Sequence, residues 1–134
     1  MEIIVLTGIP GSGKSTYYNN HFKDDYVRVN LDTLKTRKRE DKLIKECIEN
    51  NKSFVVDNTN VTIEQRKKYI DIAKENGYKI VNYFFPVDVN KSIMQNDLRE
   101  GKARVAKVAI YVMAKKFVEP TINEGFDEVH KIVD

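Results

Sequence analysis

The segment Gly8-Ile9-Pro10-Gly11-Ser12-Gly13-Lys14-Ser15 fits the pattern Gly-x₄-Gly-Lys-Ser, with Thr16 following. An apolar stretch leads directly into this segment and a helical pattern leaves it, which is the context that the pattern requires. Glycines let the backbone approach a ligand closely, so that successive N–H groups can surround anionic phosphates at a helix N-terminus. The segment therefore predicts a phosphate-binding P-loop.

The chemistry of this loop predicts ATP and Mg²⁺ as the ligands. Lys14 is expected to reach the β- and γ-phosphates, and the Ser15 hydroxyl is expected to bind Mg²⁺. The loop residues that we expect to contact ATP are Gly8, Pro10, Gly11, Ser12, Gly13, Lys14, Ser15 and Thr16.

Short apolar runs alternate with helical patterns along the whole chain. The predicted strands are 2–6, 26–30, 53–56 and 79–85, with a weaker fifth at 128–133, and the predicted helices are about 14–22, 40–50, 62–76, 89–100 and 105–117. Thr62 and Gln65 form a capping-box pattern, and Asn76-Gly77 is a typical helix stop. This alternation predicts a three-layer α/β/α P-loop NTPase fold, with a mainly parallel sheet of four to five strands and a small helical lid.

Length and composition limit the class of protein. The 134 residues are expected to form one domain, residues 1–134. Because Cys47 is the only cysteine, an intramolecular disulfide is excluded, which favours a reducing compartment. No apolar run is long enough to cross a membrane, so we expect a cytoplasmic protein. The net charge of +3 permits binding to a polyanion without requiring it.

A P-loop alone does not separate a kinase from a GTPase or a motor ATPase. The guanine-reading pattern Asn-Lys-x-Asp is absent from the sequence, and the chain is short for a motor ATPase. A small kinase is the economical interpretation, and a kinase needs a base beside the accepting hydroxyl. Asp32 follows the second predicted strand, where it could be that base or could cap the next helix. Asp57 ends the third strand, where it could hold Mg²⁺ or belong to an ordinary polar turn.

A basic segment separates the fourth and fifth predicted helices. Arg99, Lys102 and Arg104 lie in it, within a predicted lid at about 95–108. Lid closure would bring Arg99, with help from Lys102 or Arg104, onto the phosphates of ATP and exclude water. A solvated basic loop is the alternative interpretation of the same residues.

Four segments together resemble the 5′-polynucleotide kinase family, both the phage-type enzymes and the animal end-healing kinases. They are the P-loop, Asn30-Leu31-Asp32-Thr33-Leu34, Val56-Asp57-Asn58-Thr59-Asn60 and Phe117-Val118-Glu119-Pro120-Thr121-Ile122-Asn123-Glu124-Gly125-Phe126. The resemblance implies that Asp32 is the general base and that Arg99 is the lid arginine. It also implies a nucleic acid 5′-hydroxyl end as the acceptor, on DNA or RNA.

The expected acceptor-binding residues are less well defined. They are Lys35, Arg37, Thr59, Asn60 and Arg66. Leu31 and Lys35 stand where relatives often carry arginine, and lysine lacks the bidentate fork that suits phosphate. Gln95, Asn96 and Asp97 occupy the region where relatives often carry a second lid arginine. These departures are compatible with catalysis and leave the acceptor open.

Two other functions remain open on sequence grounds. One is a kinase that phosphorylates a nucleoside, a sugar or another metabolite, and the second is an ATP-hydrolysing binding module. The oligomeric state, including a homo-oligomer, is also left open. No phosphatase or ligase pattern accompanies the kinase, so separate partner enzymes are expected for an end-healing pathway.

Overall fold

The computed structural model describes residues 1–101 and 104–133. Five parallel strands form one sheet in the order β2-β3-β1-β4-β5. The strands are β1 Glu2–Thr7, β2 Val27–Val29, β3 Phe54–Val56, β4 Lys79–Phe84 and β5 Glu128–Lys131. The predicted α/β fold with a parallel sheet is confirmed, including the weak fifth strand.

Helices cover both faces of the sheet and its carboxyl edge. They are α1 Lys14–His21, α2 Leu31–Leu34, α3 Arg37–Glu49, α4 Ile63–Asn76, α5 Val89–Asp97 and α6 Lys107–Lys116, with a 3₁₀ turn at Ile122–Glu124. In the described part of the chain, no helix is long and apolar enough to cross a membrane.

The central strand β1 is buried on both faces, which explains its continuous apolar sequence. Ile3 and Val5 pack into one cluster with residues of α3 and α4, and Ile4 and Leu6 pack into another with residues of α1. Because parallel strands end together at one edge, the loops that follow β1, β2 and β3 meet there.

The structure corrects the predicted helix bounds. Helix α2 was not expected; the side chain of Asn30 caps it by accepting from the Thr33 N–H at 3.0 Å. Asn30, and not Asp32, is therefore the helix cap. Helix α3 begins at Arg37, three residues earlier than predicted, because Thr36 caps it by accepting from the Arg39 N–H.

The segment between α5 and α6 also differs from the prediction. Helix α5 ends at Asp97 and α6 begins at Lys107. The Asn96 side chain holds the segment before α6 against the end of α5, since it donates to the Val105 carbonyl at 2.7 Å and accepts from the Val105 N–H at 2.9 Å. Lys102 lies outside the described residues.

Helix α4 begins and ends as predicted. The side chains and backbones of Thr62 and Gln65 form both bonds of a capping box, and Gly77 stops the helix with φ 68°. One prediction on this helix is wrong, however. Arg66 is fully buried and bonds to both carboxylate oxygens of Glu124, at 2.8 and 3.0 Å, and to the Asn60 carbonyl. Arg66 therefore cannot contact an acceptor and instead joins α4 to the chain beyond α6.

Replacement of Arg66 by alanine should lower the free energy of unfolding by about 3–5 kcal/mol, because the Glu124 carboxylate would remain buried without its partner. Urea unfolding followed by circular dichroism measures this loss. Lys67→Ala is the control; it removes the neighbouring exposed pair with Asp71 and should cost less than about 1 kcal/mol. Equal effects of the two substitutions would contradict a special role for the buried pair.

Candidate active site

The P-loop connects β1 to α1 and has the backbone conformation that its glycines permit. Gly11 and Gly13 have φ angles of +79° and +101°, which other residues rarely adopt. A Cβ atom on Gly11 would lie 2.4 Å from the Ser92 carbonyl oxygen, so α5 packs directly on the loop. Gly13 immediately precedes the N-terminus of α1, where free backbone N–H groups favour an anion.

Lys14 is buried at the centre of this loop. Its ammonium donates to the carbonyls of Gly8 at 2.9 Å and Ile9 at 3.2 Å. Burial lowers the pKa of Lys14 to about 8; Arg99 lowers it as well, while Asp57 and Asp32 act in the opposite direction. Three residues predicted to serve the same chemistry, Asp57, Arg99 and Asp32, therefore act electrostatically on the Lys14 ammonium.

The two predicted Mg²⁺ ligands are neighbours. The Ser15 hydroxyl donates to Oδ2 of Asp57 at 3.2 Å, and the Asp57 side chain is 1% exposed. A hydroxyl and a carboxylate are the hard oxygen ligands that Mg²⁺ prefers, so the donor set fits this ion. Arg28, which the sequence analysis did not single out, bonds to both of these groups.

Asp32 is exposed in the first turn of α2, which begins at Leu31, directly after the cap residue Asn30. Two bonds hold this turn against the loop after β3. The Asn30 amide donates to the Asp57 carbonyl at 2.5 Å, and the Leu31 N–H donates to the side-chain oxygen of Asn58 at 2.8 Å. These bonds fix the position of Asp32 relative to Asp57 and the loop after β3.

One open cleft of about 280 Å³ brings most of the predicted site together. Predicted residues on its wall are Pro10, Lys14, Ser15, Asp32, Arg37, Asp57, Thr59, Asn60 and Arg99. Outside the P-loop, three of the described residues that were predicted for the site do not line it: Arg66, which is buried on α4, Lys35 and Arg104. Lys35 is exposed at the end of α2 and does not line the cleft, and Arg104 bonds to Asp97 at 3.3 Å on the surface.

The acceptor-side residues need a further correction. Although Asn60 lines the cleft, its side chain is buried and donates to the Leu6 carbonyl at 2.9 Å, so it ties this loop to β1. The Thr59 carbonyl likewise accepts from the Gly8 N–H at 3.0 Å. The Asp57–Asn60 loop and the P-loop are thus held together as one unit.

A buried carboxylate behind the cleft was missed by the sequence analysis. Glu40 is fully buried on α3 and accepts from Tyr69, Lys68, Arg37 and Asn58 at 2.9–3.2 Å. Burial raises the pKa of Glu40, but the hydrogen bonds from Lys68 and Tyr69 outweigh it and the pKa is lowered. Only the i,i+3 spacing of Arg37 and Glu40 could have indicated this pair.

The Glu40 network supports both sides of the cleft. Asn58 donates to Glu40 and at the same time accepts from the Leu31 N–H beside Asp32. Arg37 lines the cleft while its guanidinium is held by Glu40 and by the Tyr69 hydroxyl. One buried group therefore positions the Asp32 turn and a cation on the cleft wall.

Comparison with known proteins shows the family to which this chain belongs. The model of a family described as an AAA domain matches residues 3–120. The chain belongs to this AAA domain family. It is 34% identical over 137 residues to a bifunctional polynucleotide phosphatase/kinase of Schizosaccharomyces pombe, covering 98% of this chain and 33% of that protein. It is 28% identical to an L-seryl-tRNA(Sec) kinase of Methanococcus maripaludis, covering 93% of this chain and 56% of that protein.

A solved structure shows the same fold. The crystal structure of Chaetomium thermophilum Kti12 in complex with ADP-AlF₃ superimposes with a TM-score of 0.67 at 16% identity, covering 97% of this chain and 88% of that chain. The predicted resemblance to polynucleotide kinases is confirmed, and so is the predicted P-loop fold. The chain spans only about a third of the first relative and about half of the second.

The lowered pKa of Lys14 predicts a pH dependence of nucleotide binding. Phosphates favour the protonated ammonium, so a bound nucleotide raises the pKa of Lys14. Above about pH 8, where Lys14 of the free protein is largely neutral, binding must therefore protonate it. Affinity for ADP should fall about tenfold per pH unit above about pH 8. Calorimetric titration from about pH 7 to about pH 9.5 measures it, and Lys14→Arg, which stays charged, should remove the dependence. A wild-type affinity that is constant over this range would contradict the prediction.

Replacement of Glu40 by glutamine should destabilise the fold by about 3 kcal/mol at neutral pH, because the surrounding cations lose a buried anionic partner. A carboxyl with a lowered pKa contributes stability above its ordinary pKa, 4.5, and loses it as the pH falls through the folded-state value. The difference between wild type and variant should therefore be constant above about pH 5 and shrink in more acidic solution. Urea unfolding at several pH values tests this, with the exposed Glu46→Gln as control.

Proposed function

We propose that the chain transfers the γ-phosphate of ATP to the 5′-hydroxyl end of a DNA or RNA strand. The observation that carries this proposal is the joint presence of Lys14, Asp32 and Arg99 on one cleft. A phosphate-binding lysine, a candidate base and a candidate lid arginine are the groups that phosphoryl transfer to a hydroxyl requires.

The donor side follows from the P-loop. Lys14 would leave the loop carbonyls to bind the β- and γ-phosphates of ATP, and the backbone N–H groups at the start of α1 would bind the remaining oxygens. Ser15 and Asp57 would hold Mg²⁺, which when bound neutralises charge on the phosphate oxygens. Arg99 would add positive charge to the transferring group, with residues 95–108 acting as a lid.

The acceptor side follows from Asp32. This carboxylate would accept the proton of the 5′-hydroxyl while the hydroxyl oxygen forms a bond to the γ-phosphorus. The bond between that phosphorus and the bridging oxygen would break, and ADP would leave with the electron pair. Arg37, held by Glu40 on the cleft wall, would bind a phosphate of the acceptor strand, which makes activity sensitive to salt.

The relatives favour a nucleic acid acceptor over a free metabolite. Both are named for acceptors that consist of, or are attached to, nucleic acid: a polynucleotide and seryl-tRNA. A metabolite kinase is the second candidate, since its P-loop chemistry would be the same.

A cytoplasmic location and separate phosphatase or ligase partners stay predictions. The predicted location agrees with the single cysteine, Cys47, which is buried and free.

Replacement of Asp32 by asparagine should lower the rate of transfer to a 5′-hydroxyl oligonucleotide by about 10²–10⁴-fold while leaving ATP affinity unchanged, because the acceptor loses its base. Transfer of label from γ-labelled ATP, together with a separate nucleotide-binding titration, measures both quantities. Asp24→Asn is the matched control, since Asp24 is exposed and does not line the cleft.

Other outcomes of the same assay separate the alternatives. Full activity of Asp32→Asn would exclude Asp32 as the base. Slow phosphate release shared by wild type and variant, with no labelled acceptor, would favour the ATP-hydrolysing module. Label on nucleosides or sugars alone would favour the metabolite kinase.

A further inference from the structure

The guanidinium of Arg28 is a second cation, besides the Lys14 ammonium, at the edge of the proposed nucleotide site. It is the middle residue of β2 and pairs in register with Val55, whose side chain packs in the cluster beneath α1. Its side chain therefore runs along the α1 face of the sheet, which is the face of the P-loop helix. The Arg28 guanidinium lies 5.9 Å from the Tyr18 ring centre, and its side chain is 34% exposed.

The guanidinium of Arg28 bonds to both predicted metal ligands. Nε donates to Oδ2 of Asp57 at 2.8 Å, and Nη2 lies 2.8 Å from the same oxygen. Nη2 also donates to the Ser15 hydroxyl at 2.9 Å. Ser15 and Asp57 are themselves hydrogen-bonded at 3.2 Å, and one arginine bridges these two groups.

This guanidinium takes up lone pairs of the two oxygens that a divalent metal at this site would use. Mg²⁺ needs oxygen ligands at about 2.0–2.1 Å in near-octahedral geometry. A guanidinium offers five donors and no lone pair, so it cannot become a ligand of the metal. A dication bound at Ser15 and Asp57 would also lie beside a fixed positive charge in a mostly buried setting, where repulsion is poorly screened.

We propose that Arg28 is an internal cation that competes with the divalent metal for Ser15 and Asp57, and that the metal binds only after the guanidinium releases the Ser15 hydroxyl. The exposed third of the side chain gives it a path to solvent, and the nearby Tyr18 ring offers a cation a favourable face. Arg28 thereby lowers the affinity of the site for metal and sets the metal concentration at which the site fills. This inference rests on the proposed metal site and is independent of the acceptor.

Binding of Mn²⁺ in the presence of ADP, followed by electron paramagnetic resonance of the free ion, tests the proposal without any turnover. Arg28→Gln removes the charge and keeps a hydrogen-bonding side chain. It should tighten Mn²⁺ binding at least about tenfold, because the competing charge-assisted hydrogen bonds are lost. Arg39→Gln is the matched control: it makes the same charge change at an exposed residue of α3 and should leave the affinity at the wild-type value.

Two further variants make the outcome decisive. Arg28→Lys keeps a competing cation without the guanidinium fork, so it should bind Mn²⁺ more tightly than wild type and more weakly than Arg28→Gln. The comparison with wild type tests the proposal even if the glutamine variant folds poorly. Affinity in Arg28→Gln that is unchanged or weaker would overturn the proposal and make Arg28 a residue that orients Asp57. If wild type and Asp57→Asn bind Mn²⁺ equally in the presence of ADP, the proposed metal site fails as well.

Discussion

The buried carboxylate of Asp57 is the interaction on which the arrangement of the cleft depends. Its side chain binds Ser15 at the start of α1 and Arg28 on β2, and its backbone carbonyl accepts from Asn30 before α2. Its backbone N–H donates to the Val29 carbonyl at 2.8 Å. The ends of β2 and β3 and the first turn of the P-loop helix thus meet at one residue. A buried charge of this kind is tolerated only where it is paired and hydrogen-bonded, and here each partner belongs to a different element.

Near Asp57, one set of hydrogen bonds holds the side of the cleft proposed for the phosphate donor, and another set holds the side proposed for the acceptor. On the donor side, Asn60 and Thr59 tie the loop after β3 to β1 and to Gly8 at the start of the P-loop. On the acceptor side, Asn58 connects the Asp32 turn to the buried Glu40. A single four-residue loop therefore sets the separation between the phosphate-binding loop and the candidate base. Phosphoryl transfer depends mainly on such positioning, because little covalent chemistry is left to the protein.

Sequence patterns were sufficient for the sheet, for the P-loop and for both ends of α4, because these features follow from apolar periodicity, glycine spacing and local caps. They were not sufficient where a contact joins distant residues. Arg66 looks like an exposed cation in the sequence, yet it is buried against Glu124, 58 residues away. Glu40 and Arg28 were missed for the same reason. Helix α3 starts with six charged residues, so Glu40 looks like one more exposed charge, and the three residues of β2 are too few to show which side chain is buried. Asp32 and Asp57 were singled out because both lie just beyond the carboxyl end of a strand of a parallel sheet, where ligands bind.

Phosphorylation of the end of a nucleic acid strand by this cleft is tested most directly by competition between acceptors in a single reaction. A 5′-hydroxyl oligonucleotide, a free nucleoside and a sugar are offered at equal concentration with limiting γ-labelled ATP, at low and at high salt. We expect label to accumulate on the oligonucleotide 5′ end, and we expect salt to lower this transfer because phosphate contacts weaken. Label that accumulates on the nucleoside or the sugar, regardless of salt, would contradict this expectation.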